Sequence, residues 1–220
     1  MACYRPNAKS PAPSPNHPRP LAISPHQGQI SAMDKDMDLS GKLLIAMPSI
    51  GDDRFDKSVV FLCAHSEEGA MGIVVNKPSD EVDLDDLLDH LDIEGSDLTL
   101  GQSVFVGGPV DGGRGFILHS EDYLGNDTTL HVGDLFSLTA TRDILEDIAQ
   151  GTGPKKALAA LGYTGWAAGQ LEGELQQNAW LTVDADSAIV FSPNHAGKWT
   201  AALGKLGVDP ILLSPEGGHA

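Results

Sequence analysis

From Leu39 onward, apolar residues fall in short clusters separated by Gly, Asp and Pro. Leu43–Ala46, Ser58–Ala64 and Met71–Asn76 are apolar, rich in β-branched residues and bounded by turn formers, a pattern that predicts strands. The two-residue period of a strand assigns Val59, Phe61, Cys63 and His65 to one face and Val60 and Leu62 to the other. Both faces are apolar, so this strand is expected to be central and covered on both sides. Leu84, Leu87, Leu88 and Leu91 then recur at helical spacing among aspartates, an amphipathic helix whose early acids suit its N-terminal dipole. Val104–Val106 and Gly115–His119 flank a glycine-rich connection that reads as hairpin-like. Leu130–Val132 and Leu135–Leu138 read as further strands.

The C-terminal half predicts four helices. Thr141 can cap the first, with Ile144, Leu145 and Ile148 inward and Gly151 as its stop. Pro154 opens the second, Lys155–Leu161, and Gly162 closes it. Gln170–Gln176 and Lys198–Leu206 follow, and between them Trp180–Val183 and Ala188–Phe191 read as strands. The pattern implies an α/β (mixed α+β) fold: one domain over 39–220, with a multi-stranded mixed sheet surrounded by helices. Residues 1–38 are set apart by composition, with seven of the 14 prolines in the first 25 positions. Such a segment buries too little apolar area to offset its chain entropy and is expected to be disordered. Met33, where this composition ends, is a candidate start of translation.

Charge narrows the possible partners. The formal net charge is −17, and residues 1–33 hold three bases and no acid, so the remainder carries 11 basic residues against 31 acidic. No Lys or Arg occurs between Lys77 and Arg114, a stretch with ten Asp and Glu residues. Such a surface repels phosphate backbones, and Lys155–Lys156 is the only adjacent basic pair. Direct nucleic-acid binding is therefore not expected, and protein partners are. No apolar run approaches the length of a membrane span, and no signal-like segment follows the N-terminal charges, so a cytoplasmic location is expected. The two cysteines, Cys3 and Cys63, do not form a disulfide framework or a zinc spacing.

Candidate chemistry is sparse. Cys63 with His65 or His119 offers a thiol and an imidazole for nucleophilic or redox work. Against that, neighbours two apart on one strand point in parallel rather than at each other, which favours Cys63 as a packing residue. Gly107, Gly108 and the rest of the loop to Gly115 could cradle an anion through backbone N–H groups, with Arg114 adding charge. The competing reading is that these glycines only permit tight turning. Asp52, Asp53 and Asp56 lack the spacing of a calcium loop, so no metal and no cofactor is expected. No G-x-S-x-G or H-E-x-x-H occurs, so no catalytic motif assigns an enzyme class.

AMPSIGDDRFDKSVVFLCAHSEEGAMGIVVNKP, VFVGGPVDGGRGFILH, LTATRDIL, GYTGWAAGQLEGELQQNAWL and LSPEGGHA, in that order, resemble the YqgE/AlgH family of small bacterial proteins. The resemblance covers about residues 39–220. It implies a single α/β domain and carries no catalytic assignment, although members are often labelled transcriptional regulators. One departure is Phe191-Ser192-Pro193, where the family tends to have an Asp and a Thr before this proline. The chain is thus expected to be a binding or regulatory module acting through protein or small-ligand contacts. The alternatives are a thiol enzyme or redox sensor using Cys63, and a regulator that binds DNA directly, which the acidic charge disfavours.

Overall fold

The computed structural model describes residues 38–125 and 128–213. The expected disordered tail and the candidate start at Met33 lie outside the described residues. Ten strands build the sheet: β1 (Lys42–Ala46), β2 (Val59–Ser66), β3 (Gly69–Val74), β4 (Pro78–Asp83), β5 (Ser103–Val106), β6 (Val110–Ser120), β7 (Leu130–Val132), β8 (Phe136–Thr139), β9 (Ala157–Ala167) and β10 (Trp180–Asp184). The helices are α1 (Leu84–His90), α2 (Arg142–Gln150), α3 (Gln170–Gln176), α4 (Ser187–Val190) and α5 (Lys198–Lys205).

Eight strands run in the order β10-β1-β2-β3-β9-β6-β8-β7, while β4 and β5 branch off along one edge of β9. Every pairing is antiparallel except β5 with β9. The architecture is therefore α+β, a correction to the α/β part of the expectation, because helices do not link successive parallel strands.

The sheet is curled into a half-barrel. Phe61 on β2 and Phe136 on β8 are four strands apart in the sheet order. A flat sheet would separate them by roughly 19 Å at the usual strand spacing. Their ring centroids are 4.8 Å apart. Inside the curl lie Leu43, Ile45, Phe61, Phe116, Leu118 and Phe136, and α4 and α5 close it with Ile189, Val190, Trp199 and Leu203. Outside it, α3 covers Leu44, Val60, Leu62 and Trp166 through Leu171, while α1 and α2 cover Val104, Ile117 and Ala159. The prediction that β2 is apolar and covered on both faces follows directly.

Several local expectations fail for identifiable reasons. Ala157–Leu161, expected in a helix, begins β9, which pairs with β6 on one edge and β5 on the other. Its alternation places Leu158 and Ala160 inside the curl and Ala159 outside, and that packing outweighs the helix propensity of ALAAL. Ala188–Phe191, expected as a strand, lies in and after α4, which Asp186 starts by accepting the Ala188 N–H. The glycine-rich stretch is not a hairpin, since β5 and β6 flank β9 rather than each other. Gly151 ends α2 in the left-handed conformation as expected, but Thr141 makes no side-chain cap and its hydroxyl is buried without a partner.

Candidate functional site

Two parallel strands begin side by side at one end of the sheet, β5 at Ser103 and β9 at Ala157, and the α4–α5 turn packs across these starts. Local hydrogen bonds fix that turn. Ser192 Oγ accepts the Asn194 N–H, and Asn194 Oδ1 accepts the Gly197 N–H at 3.1 Å. A Cβ at Gly197 would crowd the Asn194 side-chain amide, which would have to shift to admit it. Helix α5 then starts at Lys198. Here lies an open cavity of about 270 Å³, walled by Phe105, Ile117, Leu158 and Phe191 and carrying Ser103, His195 and Lys198 as polar groups. It adjoins a second cavity of about 550 Å³, whose outer wall includes Lys155, Lys156 and Ser187.

Lys198 is the unusual residue. It is 1% exposed. Its Nζ donates to Val75 O and to Val190 O, each at 2.7 Å, and lies 5.1 Å from the centroid of the Phe105 ring. The ammonium has no carboxylate partner among the described residues. Burial pushes its pKa down to about 8. At the first helical position it also meets the unfavourable end of its own helix dipole, which the carbonyl ending α4 offsets. His195 stacks edge-on to the same Phe105 ring at 4.9 Å, and its Nδ1 is buried with no hydrogen-bond partner. Its pKa is lowered, first by burial and then by the Lys198 charge. A buried amine and a half-buried imidazole thus flank one aromatic ring in a cavity wall.

The residues singled out from sequence do not gather. Cys63 sits at a β-bulge, because Leu62 pairs with Gly72 and Ala64 with Met71, leaving one extra residue on β2. That insertion reverses the alternation, so Cys63 packs inside the curl while His65 turns to the α3 side, which overturns the shared face expected for them. Cys63 is 2% exposed, and burial pushes its thiol pKa well up. His65 Nδ1 accepts the Leu39 N–H, so its proton sits on Nε2, which donates to Glu172 at 2.8 Å. His119 lies on β6, three strands from β2, buried and with both ring nitrogens engaged, Nδ1 donating to Ser120 O and Nε2 accepting from Thr139. Burial lowers its pKa.

Gly107 and Gly108 mark a crossing of two backbones. Gly107 donates to Leu161 O and accepts from Val74, stitching β9 to β3. A Cβ at Gly107 would lie 2.3 Å from Gly162 O, and one at Gly108 would lie 2.2 Å from the Tyr163 carbonyl carbon. Arg114 is exposed, places its guanidinium 5.1 Å from the Phe116 ring centroid, and makes no ion pair among the described residues. None of these three lines the cavity. Among the described residues, no cluster of three or more His, Cys, Asp or Glu side chains could hold a metal ion, and no helix is long and apolar enough to cross a membrane. Sequence reasoning missed Lys198 and His195. The available signal was that Lys198 stands four residues before Ala202, on the apolar stripe of its helix, where a charge needs a reason.

Comparison with known proteins places this fold. The family model described as AlgH-like, DUF179, matches residues 43–211. A UPF0301 protein of Ruegeria pomeroyi is 55% identical over 185 residues, covering 84% of this chain and all of the relative. One from Cereibacter sphaeroides is 52% identical over 184 residues, with the same coverage of this chain and again all of the relative. The solution structure of the AlgH protein from Pseudomonas aeruginosa superposes with a TM-score of 0.69 at 42% identity, over 88% of this chain and 100% of that one. Protein DIP2367 of Corynebacterium diphtheriae shares the fold alone, with a TM-score of 0.65 at 20% identity over 83% of this chain and 92% of that one. By the matched span and by these identities, the chain belongs to the UPF0301/AlgH-like family.

Proposed function

We propose that this protein is a binding module for a small anionic metabolite, held in the cavity between the starts of β5 and β9 and the α4–α5 turn. The observation that carries the reading is the convergence of Lys198 and His195 on one cavity wall without a carboxylate to neutralise them. A buried cation that answers only to carbonyl oxygens keeps an uncompensated positive field, and a small anion entering the cavity would complete it. A volume of about 270 Å³ lies below the usual range for drug-sized ligands and suits a molecule of a few carbons. Lys155 and Lys156 at the adjoining mouth add attraction in a protein otherwise strongly acidic.

Any regulatory output of such binding would pass through protein contacts. The exposed acids of α1 and its flanks offer nothing to a phosphate backbone and suit a basic protein surface.

The test is an amide NMR titration with a panel of small carboxylates and phosphates. Shifts confined to residues around Phe105, Ala157, Phe191 and His195, lost in His195→Ala, are the expected result. A panel that moves none of these resonances overturns the reading.

A further inference from the structure

We propose that Lys198 takes a small 2-oxo acid as an imine, an inference that rests on the binding reading above and names its ligand. The geometry supplies the argument. The two short bonds from Nζ go to carbonyl oxygens, which only accept, so a neutral amine satisfies both with its two N–H groups and keeps its lone pair free. A lysine whose role was only to neutralise an acid would meet a carboxylate here, and it meets none among the described residues. The wall beside it is the face of Phe105, an apolar surface that desolvates the amine.

The depressed pKa follows from the same surroundings, and near pH 8 about half the molecules would carry the free amine. The unpartnered Nδ1 of His195 gives the cavity a second group able to hold or pass a proton. Hydroxyls of Ser103 and Ser192 line the same space, and Lys155 and Lys156 border the adjoining one, so an acid group beside the carbonyl meets donors and positive charge.

The step balances without an oxidant or reductant. The Nζ lone pair forms a C–N bond to the carbonyl carbon, the C=O π pair moves to oxygen, and one amine proton passes to that oxygen. The carbinolamine hydroxyl takes up a proton and leaves as water, giving a protonated imine whose remaining N–H keeps one of the two carbonyl bonds. In this proposal the His195 imidazole, which packs on the same Phe105 ring, exchanges these protons with the substrate oxygen.

The experiment incubates the full chain with glyoxylate and cyanoborohydride at pH 8, followed by peptide mapping. The expected result is a reduced adduct on the Lys198 peptide that forms at least tenfold faster than on exposed Lys155, and that acetate competes away. Because the label is located in the unmodified protein, the result does not depend on a variant that folds. Lys198→Met should abolish the fast adduct, and Lys57→Gln, an exposed lysine that lines neither cavity, should leave it unchanged. Amide shifts around the cavity without a fast Lys198 adduct overturn the imine and leave anion binding intact. Labelling of Lys198 no faster than Lys155, with no such shifts, overturns both.

Discussion

Glu174 accepts the indole N–H of Trp180 at 2.8 Å, and the same oxygen, Oε2, accepts that of Trp166 at 2.9 Å. The two indoles pack edge to face with centroids 5.9 Å apart, and Gln170 holds the other carboxylate oxygen. One side chain of α3 thereby ties β9 to β10, strands four apart in the sheet order. Both tryptophans are buried, so removing their acceptor leaves two donors unsatisfied. Glu174→Ala is expected to cost about 2–4 kcal/mol, and Glu174→Gln, which keeps one acceptor, about 1 kcal/mol. Urea unfolding followed by tryptophan fluorescence measures both. Equal stability of Glu174→Ala and the parent would show that the clamp contributes nothing.

The backbone crossing separates two kinds of glycine, one on β9 and one on β6. Gly162 has φ +71°, and a Cβ there would lie 2.7 Å from Gly108 O and 2.9 Å from Val110 O. Gly113, by contrast, has open space around it. Gly162→Ala should therefore destabilise by about 3 kcal/mol or more, whereas Gly113→Ala should change stability by less than about 0.5 kcal/mol. A tolerated Gly162→Ala would contradict the close approach. A loss of ligand binding in Gly113→Ala at unchanged stability would return the loop to the list of recognition surfaces.

How far the sequence reached is explained by where the determining contacts lie. Strands β1, β2, β3 and β10 were legible because each carries its apolar residues in one local run. Strand β9 was not, because Ala157–Leu161 reads as helix until β5 and β6, roughly 40 to 55 residues earlier, pair with its two edges. The face of His65 was misread because a bulge shifts alternation by one residue without altering composition. Lys198 went unnoticed for a related reason. Its partners Val75 O and Val190 O are backbone atoms, and no side-chain pattern announces a backbone acceptor.

Burial gives Cys63 a measurable behaviour. A thiol that is 2% exposed and donates to Phe61 O at 3.6 Å stays protonated and inaccessible while the fold is intact. In a Cys3→Ser background, a thiol-specific disulfide reagent should modify Cys63 no faster than the protein unfolds, and urea should accelerate the reaction in parallel with global unfolding. Rapid, stoichiometric labelling in native buffer would instead identify a reactive thiol and revive the redox reading.

His119 makes stability depend on pH in a defined direction. Its Nδ1 donates to Ser120 O and its Nε2 accepts the Thr139 hydroxyl, which in turn accepts from Thr129. A second ring proton on Nε2 would oppose the Thr139 hydroxyl and reverse that chain. Burial lowers the folded-state pKa below the ordinary 6.5, outweighing the Ser120 carbonyl and Asp122, which act the other way, while His131 adds to the lowering. The unfolded chain therefore takes up the proton first as pH falls. The contribution to stability is fully present above the unfolded pKa and declines as pH drops through 6.5 toward the folded value. His195, also lowered, contributes in the same sense, so the comparison must be between variants. Unfolding free energy measured at intervals from pH 7.5 to 5 should fall less steeply in His119→Phe than in the parent. Identical slopes in the two proteins would mean that the buried imidazole titrates alike in folded and unfolded chains, contrary to its surroundings.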